Sequence, residues 1–333
     1  MKLAIVILNW NGLHHLQTFL PSVVAHSGAH GIFVVDNAST DGSVSWIKQQ
    51  YPMIGVVENP ENEGFCRGYN LGLSQIESEY YVLLNSDVEV SAGWTEPILN
   101  LMDQDKALAA CQPKILSFTA KNSFEYAGAG GGFIDWLGYP FCRGRVFDTL
   151  EEDQGQYDDV TDLFWASGAC LFIRASAFHE LGGFDEAFFA HMEEIDLCWR
   201  LKNKGAQIKY VGTSTVYHLG GGTLQKASPF KSYLNFRNGL FLLYKNLPQK
   251  RLFSTLFIRL FLDGIAAFRH FVKLEFEFVW VILKAHLHFY SYIAKKKVLR
   301  DNLKGKETKP ILYKSIVWEY FAKGRKTYKE LWV

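Results

Sequence analysis

The 333-residue chain is 48% hydrophobic and 15% aromatic, enough apolar side chain for a sizeable core in one or two domains. Its net charge of +1 conceals an asymmetry: residues 245–333 carry 19 Lys+Arg against 7 Asp+Glu, and the residues before them 16 against 27. The basic residues lie in the tail among Phe, Leu and Trp and form no groove with stacking platforms, which argues against nucleic acid and for an acidic body and basic tail with different partners. Five cysteines (66, 111, 142, 170 and 198) form no CxxC and no zinc spacing. Their odd number favours a reduced, cytoplasmic setting over a disulfide framework. One Lys and six apolar residues before Asn9 are too short for a secretory signal. No stretch offers the ~18 uncharged apolar residues of a spanning helix.

Residues 3–8 are a continuous apolar run, followed by Asn/Gly and an amphipathic segment at 13–25. Strands are expected again at 31–35, 54–58 and 80–84, with helices opening near Asp41 and at 65–76. Strand, loop and helix repeated at this spacing predict a parallel sheet with right-handed crossovers. Residues 117–160 are Gly-rich and mixed, and read as an irregular insertion able to shape an acceptor site. A strand with Gly168 inside it is expected at 165–173, where a glycine marks close approach of backbone or ligand. A helix at 193–204 and a strand at 207–211 follow. The composition changes at residue 245, which sets the expected boundary between a body (1–244, halves of about 1–110 and 111–244) and a tail.

The polar clusters fall at strand carboxyl ends, where open α/β sheets bind ligands. Asp87 follows the strand at 80–84 and suits a divalent cation holding a diphosphate, or caps the next helix. Asp36 could accept from a base or ribose hydroxyl, while Asp41 reads best as a helix cap. Asn62, Gly64 and Arg67 stand at a helix start, a geometry that suits phosphate; tight packing at Gly68 and Gly72 is the alternative. Glu193 and Glu194 open a helix just after Phe188 and Phe189, where a helix N-terminus favours ionised carboxylates. His218 precedes Gly220-Gly221-Gly222 and is either structural or a metal ligand. There is no GxGxxG after a strand and no GxxxxGK[ST].

These motifs carry a resemblance. Ile5-Val6-Ile7-Leu8-Asn9-Trp10-Asn11-Gly12, Val34-Val35-Asp36-Asn37 with Ala38 to Ser43, Asn62-Glu63-Gly64-Phe65, Leu84-Asn85-Ser86-Asp87-Val88 and the block from Gly182 to Cys198 are similar to family 2 glycosyltransferases, closest to their rhamnosyltransferase-like branch, over roughly residues 3–240. The resemblance implies a GT-A fold with a Rossmann-like, mostly parallel sheet, a nucleotide-sugar donor, a divalent cation (Mg²⁺ or Mn²⁺) and inversion at the anomeric carbon. Carried over by position, Trp10 and Asp36 would lie against the nucleoside with Asn9 and Asn37 among the donor-binding residues, Asp87 and His218 would ligate the metal, and Glu194 would be the catalytic base. Asn85 and Ser86 replace the first acid of the family's metal motif, and Asn37 leaves uridine versus thymidine open. Glu194 is one methylene longer than the usual Asp, so Glu193 remains a candidate base.

Two rivals stand beside this reading. A sugar-1-phosphate nucleotidylyltransferase would need a basic Gly-rich loop after Leu8, which is missing. A non-catalytic nucleotide-sugar or glycan-binding module would not need Asp87, Glu194 and His218 together. In the tail, Phe253, Leu256, Phe257, Leu260, Phe261, Ile265 and Phe268 recur at helical spacing, with Arg259, Asp263, His270, Lys273 and Glu277 on the other side. Amphipathic helices lying on an anionic membrane are expected there, suiting a glycan or lipid-linked acceptor at the cytoplasmic face. The alternative is a helical pair that packs on the body or joins a homo-oligomer.

Overall fold

The structure is a computed structural model that describes residues 1–220, 228–295, 300 and 312–332. The first apolar run forms β1 (Leu3–Asn9), followed by α1 (Leu13–His26), β2 (Gly31–Asp36), α2 (Ser43–Gln50), β3 (Gly55–Glu58), α3 (Gly64–Leu73) and β4 (Tyr80–Asn85). These four strands lie parallel in the order β4-β1-β2-β3. Alternate residues of β1 feed two cores: Ala4 and Val6 join Tyr69 and Leu73 of α3, while Leu3, Ile5 and Ile7 join Leu16, Leu20 and Val23 of α1. Burial on both faces is why these strands read as unbroken apolar runs. Two glycines bring α3 down onto β2: a Cβ at Gly72 would stand 2.4 Å from Val35, and one at Gly68 would stand 2.8 Å from Asn37. The packing reading of those glycines is the one the fold uses.

The second half adds β5 (Val88–Val90), α4 (Glu96–Gln104), β6 (Leu108–Ser117), β7 (Gly132–Ile134), β8 (Pro140–Cys142), β9 (Arg145–Val146), β10 (Thr149–Leu150), β11 (Val160–Asp162), β12 (Cys170–Arg174), α5 (Ala175–Glu180), α6 (Glu193–Asn203) and β13 (Gln207–His218). The main sheet runs β11-β13-β6-β12-β4-β1-β2-β3, with β5 also paired to β13. β12 is antiparallel to β4 and β6, whereas β13 is parallel to β6. The mixed α/β sheet with flanking helices is the fold class expected.

Three expectations need correction. The segment at 117–160 is not wholly irregular, because β7 to β10 form a four-stranded sheet of their own. The strand expected at 165–173 begins only at Cys170; Trp165 lies against Gly132, and Cys170 N–H closes a turn onto the Ser167 carbonyl, with Gly168 inside it. The strand at 207 does not stop at 211 but passes a register shift between Val211 and Thr215 and continues to His218.

Three long helices follow: α7 (Pro229–Asn246), α8 (Gln249–Val272) and α9 (Phe276–Ala294). The change of composition at residue 245 falls inside α7. Lys245 Nζ reaches Asp185 at 2.6 Å and Asp196 at 2.8 Å, and Asn246 donates to Asp196. All five cysteines are buried and free. Among the described residues no helix is long and apolar enough to cross a membrane.

Candidate active site

The carboxyl ends of β1 and β2 are tied together by small polar side chains. Asn9 Nδ2 donates to Asp36 Oδ1 (2.8 Å) and to the hydroxyls of Ser39 and Ser43 (3.2 and 3.0 Å), while Asp36 Oδ2 accepts from the Ser39 N–H. The loops behind them interlock, with Asn11 N–H on Ser39 Oγ and Thr40 N–H on Asn11 Oδ1. Asp41 accepts from Leu13 N–H and Ser43 N–H, bridging the starts of α1 and α2, although the N-cap position of α2 is Gly42 and not Asp41 as expected. Asn9, Asp36 and Asn37 are buried, whereas Trp10 is 53% exposed at the rim. Asn37 is held by Asn59 and in turn donates to the Gly64 carbonyl, which fixes the start of α3. Asn62 Oδ1 accepts from Gly64 N–H, and Gly64 has φ +69°, a backbone region where glycine is favoured. Arg67, expected at a phosphate, has its guanidinium against Glu63 (2.7 Å) and Glu186 (3.5 Å) and would exchange those partners to bind one.

Asp87 and His218 converge because β4 and β13 end at the same edge of the sheet. His218 pairs in register with Ser117 of β6 and Val88 of β5. The Leu219 N–H donates to the Asp87 carbonyl. His218 Nε2 stands 3.2 Å from Asp87 Oδ1 and 3.4 Å from Asn85 Nδ2, and its Nδ1 is 3.1 Å from Glu125 Oε2. Burial alone would push this imidazole down, but contact with the two carboxylates overrides it and pushes it up to about 10. The same contacts outweigh burial at Asp87 and Glu125 and hold both below their ordinary range. Glu125 was not foreseen. It lies in the mixed 117–160 segment with no motif around it, and only Gly220 (φ +69°), where a Cβ would meet it at 2.5 Å, hints at its approach. Gly221 and Gly222 lie outside the described residues.

Among the described residues no three His, Cys, Asp or Glu side chains are grouped to hold a metal ion. Once a cation displaces the imidazolium proton, Asp87 and His218 offer a carboxylate oxygen and an imidazole nitrogen at the separation of two neighbouring ligands, each about 2.1 Å from one ion. The donor set fits a divalent cation only if ligand oxygens and water complete it.

Glu193 and Glu194 open α6 from a contorted loop. Phe189, His191 and Met192 all have positive φ (66°, 66° and 71°), a backbone state that non-glycine residues adopt at a cost. α7 holds the loop in place: Asn238 Nδ2 donates to the carbonyls of Phe188, Ala190 and His191, and Arg237 to those of Ala187 and Phe188. Glu193 Oε2 and Glu194 Oε2 are both buried with no hydrogen-bond partner. Burial pushes the Glu194 carboxyl up to about 7, the helix-start N–H groups only partly opposing it. Burial and the Glu194 charge push Glu193 well up too. Asp196, one turn on, is used up structurally by Arg200, Lys245 and Asn246.

The turn at Gly168 joins the two groups. A Cβ on Gly168 would stand 3.5 Å from the Phe65 ring and 3.9 Å from the Glu194 Cβ. The adjacent Ala169 carbonyl accepts from Asn85 N–H, beside His218. Ser86 stands by Gly12, 3.8 Å from where its Cβ would lie. Two carboxyl groups each with an unpartnered oxygen, an acid–imidazole pair and the polar floor under Trp10 thus share the carboxyl-end edge of the sheet.

Residues 4–182 match the sequence family described as Glycosyl transferase family 2. The chain belongs to that family. Among its relatives, it is 27% identical to an N-acetylglucosaminyl-diphospho-decaprenol L-rhamnosyltransferase of Mycobacterium tuberculosis, over 65% of this chain and 75% of that one. It is 24% identical to a low-salt glycan biosynthesis hexosyltransferase of Haloferax volcanii, over 71% and 73%. In structure it resembles GalNAc-T7, solved with UDP, GalNAc and Mn²⁺ (TM-score 0.55, 17% identity, 73% of this chain but 47% of that one). It also resembles the mannosyltransferase PcManGT of Pyrobaculum calidifontis, solved with GDP-Man and Mn²⁺ (TM-score 0.51, 12% identity, 88% and 75%). These likenesses establish the GT-A fold of this family 2 glycosyltransferase.

Proposed function

We propose that the protein is an inverting glycosyltransferase that moves a sugar from a nucleoside diphosphate sugar to a hydroxyl of a glycan or lipid-linked acceptor. The observation that carries this reading is the turn at 167–170: Gly168 lies by the Cβ of the half-buried Glu194, whose Oε2 has no hydrogen-bond partner, and the Ala169 carbonyl next to it holds the N–H of Asn85, whose side chain meets His218 of the Asp87–His218 pair. Trp10 is exposed over the Asn9–Asp36 floor and is suited to stack on a base, with Asp36 and Asn37 shaping the nucleoside pocket. A divalent cation, Mg²⁺ or Mn²⁺, held by Asp87 and His218 would neutralise charge on the departing diphosphate. Glu194, ionised, takes the proton of the attacking acceptor hydroxyl, and Glu193 beside it, pushed up by burial and the Glu194 charge, is the alternative base. The donor is dTDP-rhamnose or a UDP-sugar, and the acceptor meets the enzyme at the cytoplasmic face of an anionic membrane.

A thermal-stability panel of nucleoside diphosphates with Mn²⁺ or Mg²⁺ tests the donor reading. UDP or dTDP should raise the melting temperature only with the metal, and the matching nucleotide sugar should slowly release free sugar. Stabilisation by no nucleoside diphosphate, with or without metal, would sink it.

A further inference from the structure

α8 is an amphipathic helix mounted inside out, and α9 beside it carries an apolar stripe outward as well as inward. Along α8 the inward stripe is Leu252, Thr255, Arg259 and Asp263, all buried, and two of its four members are charged. The outward stripe is Phe253, Phe257, Phe261, Ile265, Phe268 and Val272, spaced by three or four residues and more than half exposed, Phe253 to 83%. α9 is apolar on both sides, with Val281, Ile282, Ala285 and Phe289 buried inward and Phe276, Trp280, Leu283, Leu287 and Tyr290 outward. The two stripes meet at the turn, where the rings of Phe271 and Phe276 are 5.8 Å apart and Leu274 is 73% exposed. A helix in water turns its apolar stripe to the core.

What holds α8 in this orientation is a polar staple. Arg259 pairs with Asp263 (3.3 Å), donates to the Leu137 carbonyl and stacks 3.7 Å from the centre of the Tyr139 ring. Asp263 also meets His286 of α9 at 3.1 Å. Rolling the helix to bury its phenylalanines would strand these groups, so the exposed apolar face is fixed by construction. An uncovered apolar face of this extent marks an interaction surface.

We propose that the outward faces of α8 and α9 form a docking surface for an anionic lipid bilayer. This deepens the membrane placement proposed above and rests on it for the partner's chemistry. Two features select lipid over a second copy of the chain. Arg269 and Lys273 are exposed at the turn, beside the stripes and alongside the exposed Glu275 and Glu277, and over residues 249–295 cations outnumber acids 7 to 3. That excess complements anionic headgroups, whereas a symmetric dimer through this face would set it against itself. Exposed aromatic side chains, Trp280 among them, suit the headgroup boundary, and no described helix is apolar enough to pass through it.

The test is flotation of the full chain with vesicles of phosphatidylcholine alone or mixed with phosphatidylglycerol, with nucleoside diphosphate stabilisation read on the same preparations. The wild type should float with the anionic vesicles at low salt and release as salt rises. Phe257→Ser, Phe261→Ser, Trp280→Ser and Leu287→Ser combined, all at exposed positions, should lose most of the bound fraction without lowering the melting temperature. Arg269→Glu with Lys273→Glu should lose binding to anionic vesicles while leaving the fold unchanged. A wild type that stays soluble with every vesicle, or a fourfold variant that floats like wild type, overturns the surface. So does sedimentation showing a vesicle-indifferent dimer that the fourfold variant dissociates. Persistent nucleotide stabilisation in those cases leaves the transferase reading standing, and flotation without nucleotide stabilisation removes that reading and keeps the surface.

Discussion

At the scale of single residues the proposed chemistry turns on Glu194, whose carboxyl burial lifts to about 7. A base must be unprotonated, so kcat/KM is expected to rise about tenfold per pH unit below that value and level off above it. The same shift carries a stability sign. A carboxyl whose folded pKa exceeds the ordinary 4.5 contributes stability that is full below about 4.5 and lost as pH rises through about 7. Glu194→Gln preserves the shape and removes the basic oxygen. Transfer should fall by roughly 10²–10⁴ while nucleotide stabilisation survives, and Glu193→Gln should cost less. The reverse ranking in a steady-state assay would move the base to Glu193. Glu125 makes a second prediction. A carboxylate behind a metal-ligating imidazole sets its orientation, so Glu125→Gln should weaken Mn²⁺ binding by roughly 10–100-fold, read by titration with nucleoside diphosphate present.

Among the elements, the connection into α6 decides where the proposed base sits. Three non-glycine residues with positive φ in four positions need outside support, and Asn238 provides it through one amide serving three carbonyls. Asn238→Ala should cost about 1–3 kcal/mol, seen as a lower midpoint in urea, because buried carbonyls lose their donor. It should also lower kcat more than it alters nucleotide stabilisation, since the loop carries Glu193 and Glu194 and not the floor under Trp10. The acids themselves were legible: a dense run of carboxylates after Phe188 and Phe189 at a helix start is a local signal. The loop's shape was not. No glycine marks the left-handed positions, and the side chain that stabilises them lies about fifty residues away.

For the whole molecule, the last described segment is part of the body. Ile316 N–H donates to Asp135, already bound to Leu137 and Tyr139 N–H, and Tyr320 meets Thr149. Leu312, Ile316 and Leu331 are buried, and Tyr328 lies against Phe133 and Phe141. Each such apolar side chain stabilises by about 1.5–3 kcal/mol against a total of about 5–15. A chain ending after Ala294 should therefore melt roughly 10 °C or more below the full chain, or fail to fold, by calorimetry. Unchanged melting would show that the segment only rests on the surface.

The sequence alone determined the parallel strands, the positions of the polar loops at their ends and the family, because continuous apolar runs and strand-end acids are local patterns. The sheet alone fixed that His218, 131 positions beyond Asp87, faces it, since only the pairing of β13 with β5 and β6 brings those strand ends together. Glu125 behind the imidazole and the polar staple under α8 were likewise decided in three dimensions. Helical period locates two faces of α8 and is silent on which turns inward; the buried Arg259–Asp263–His286 contacts made that choice.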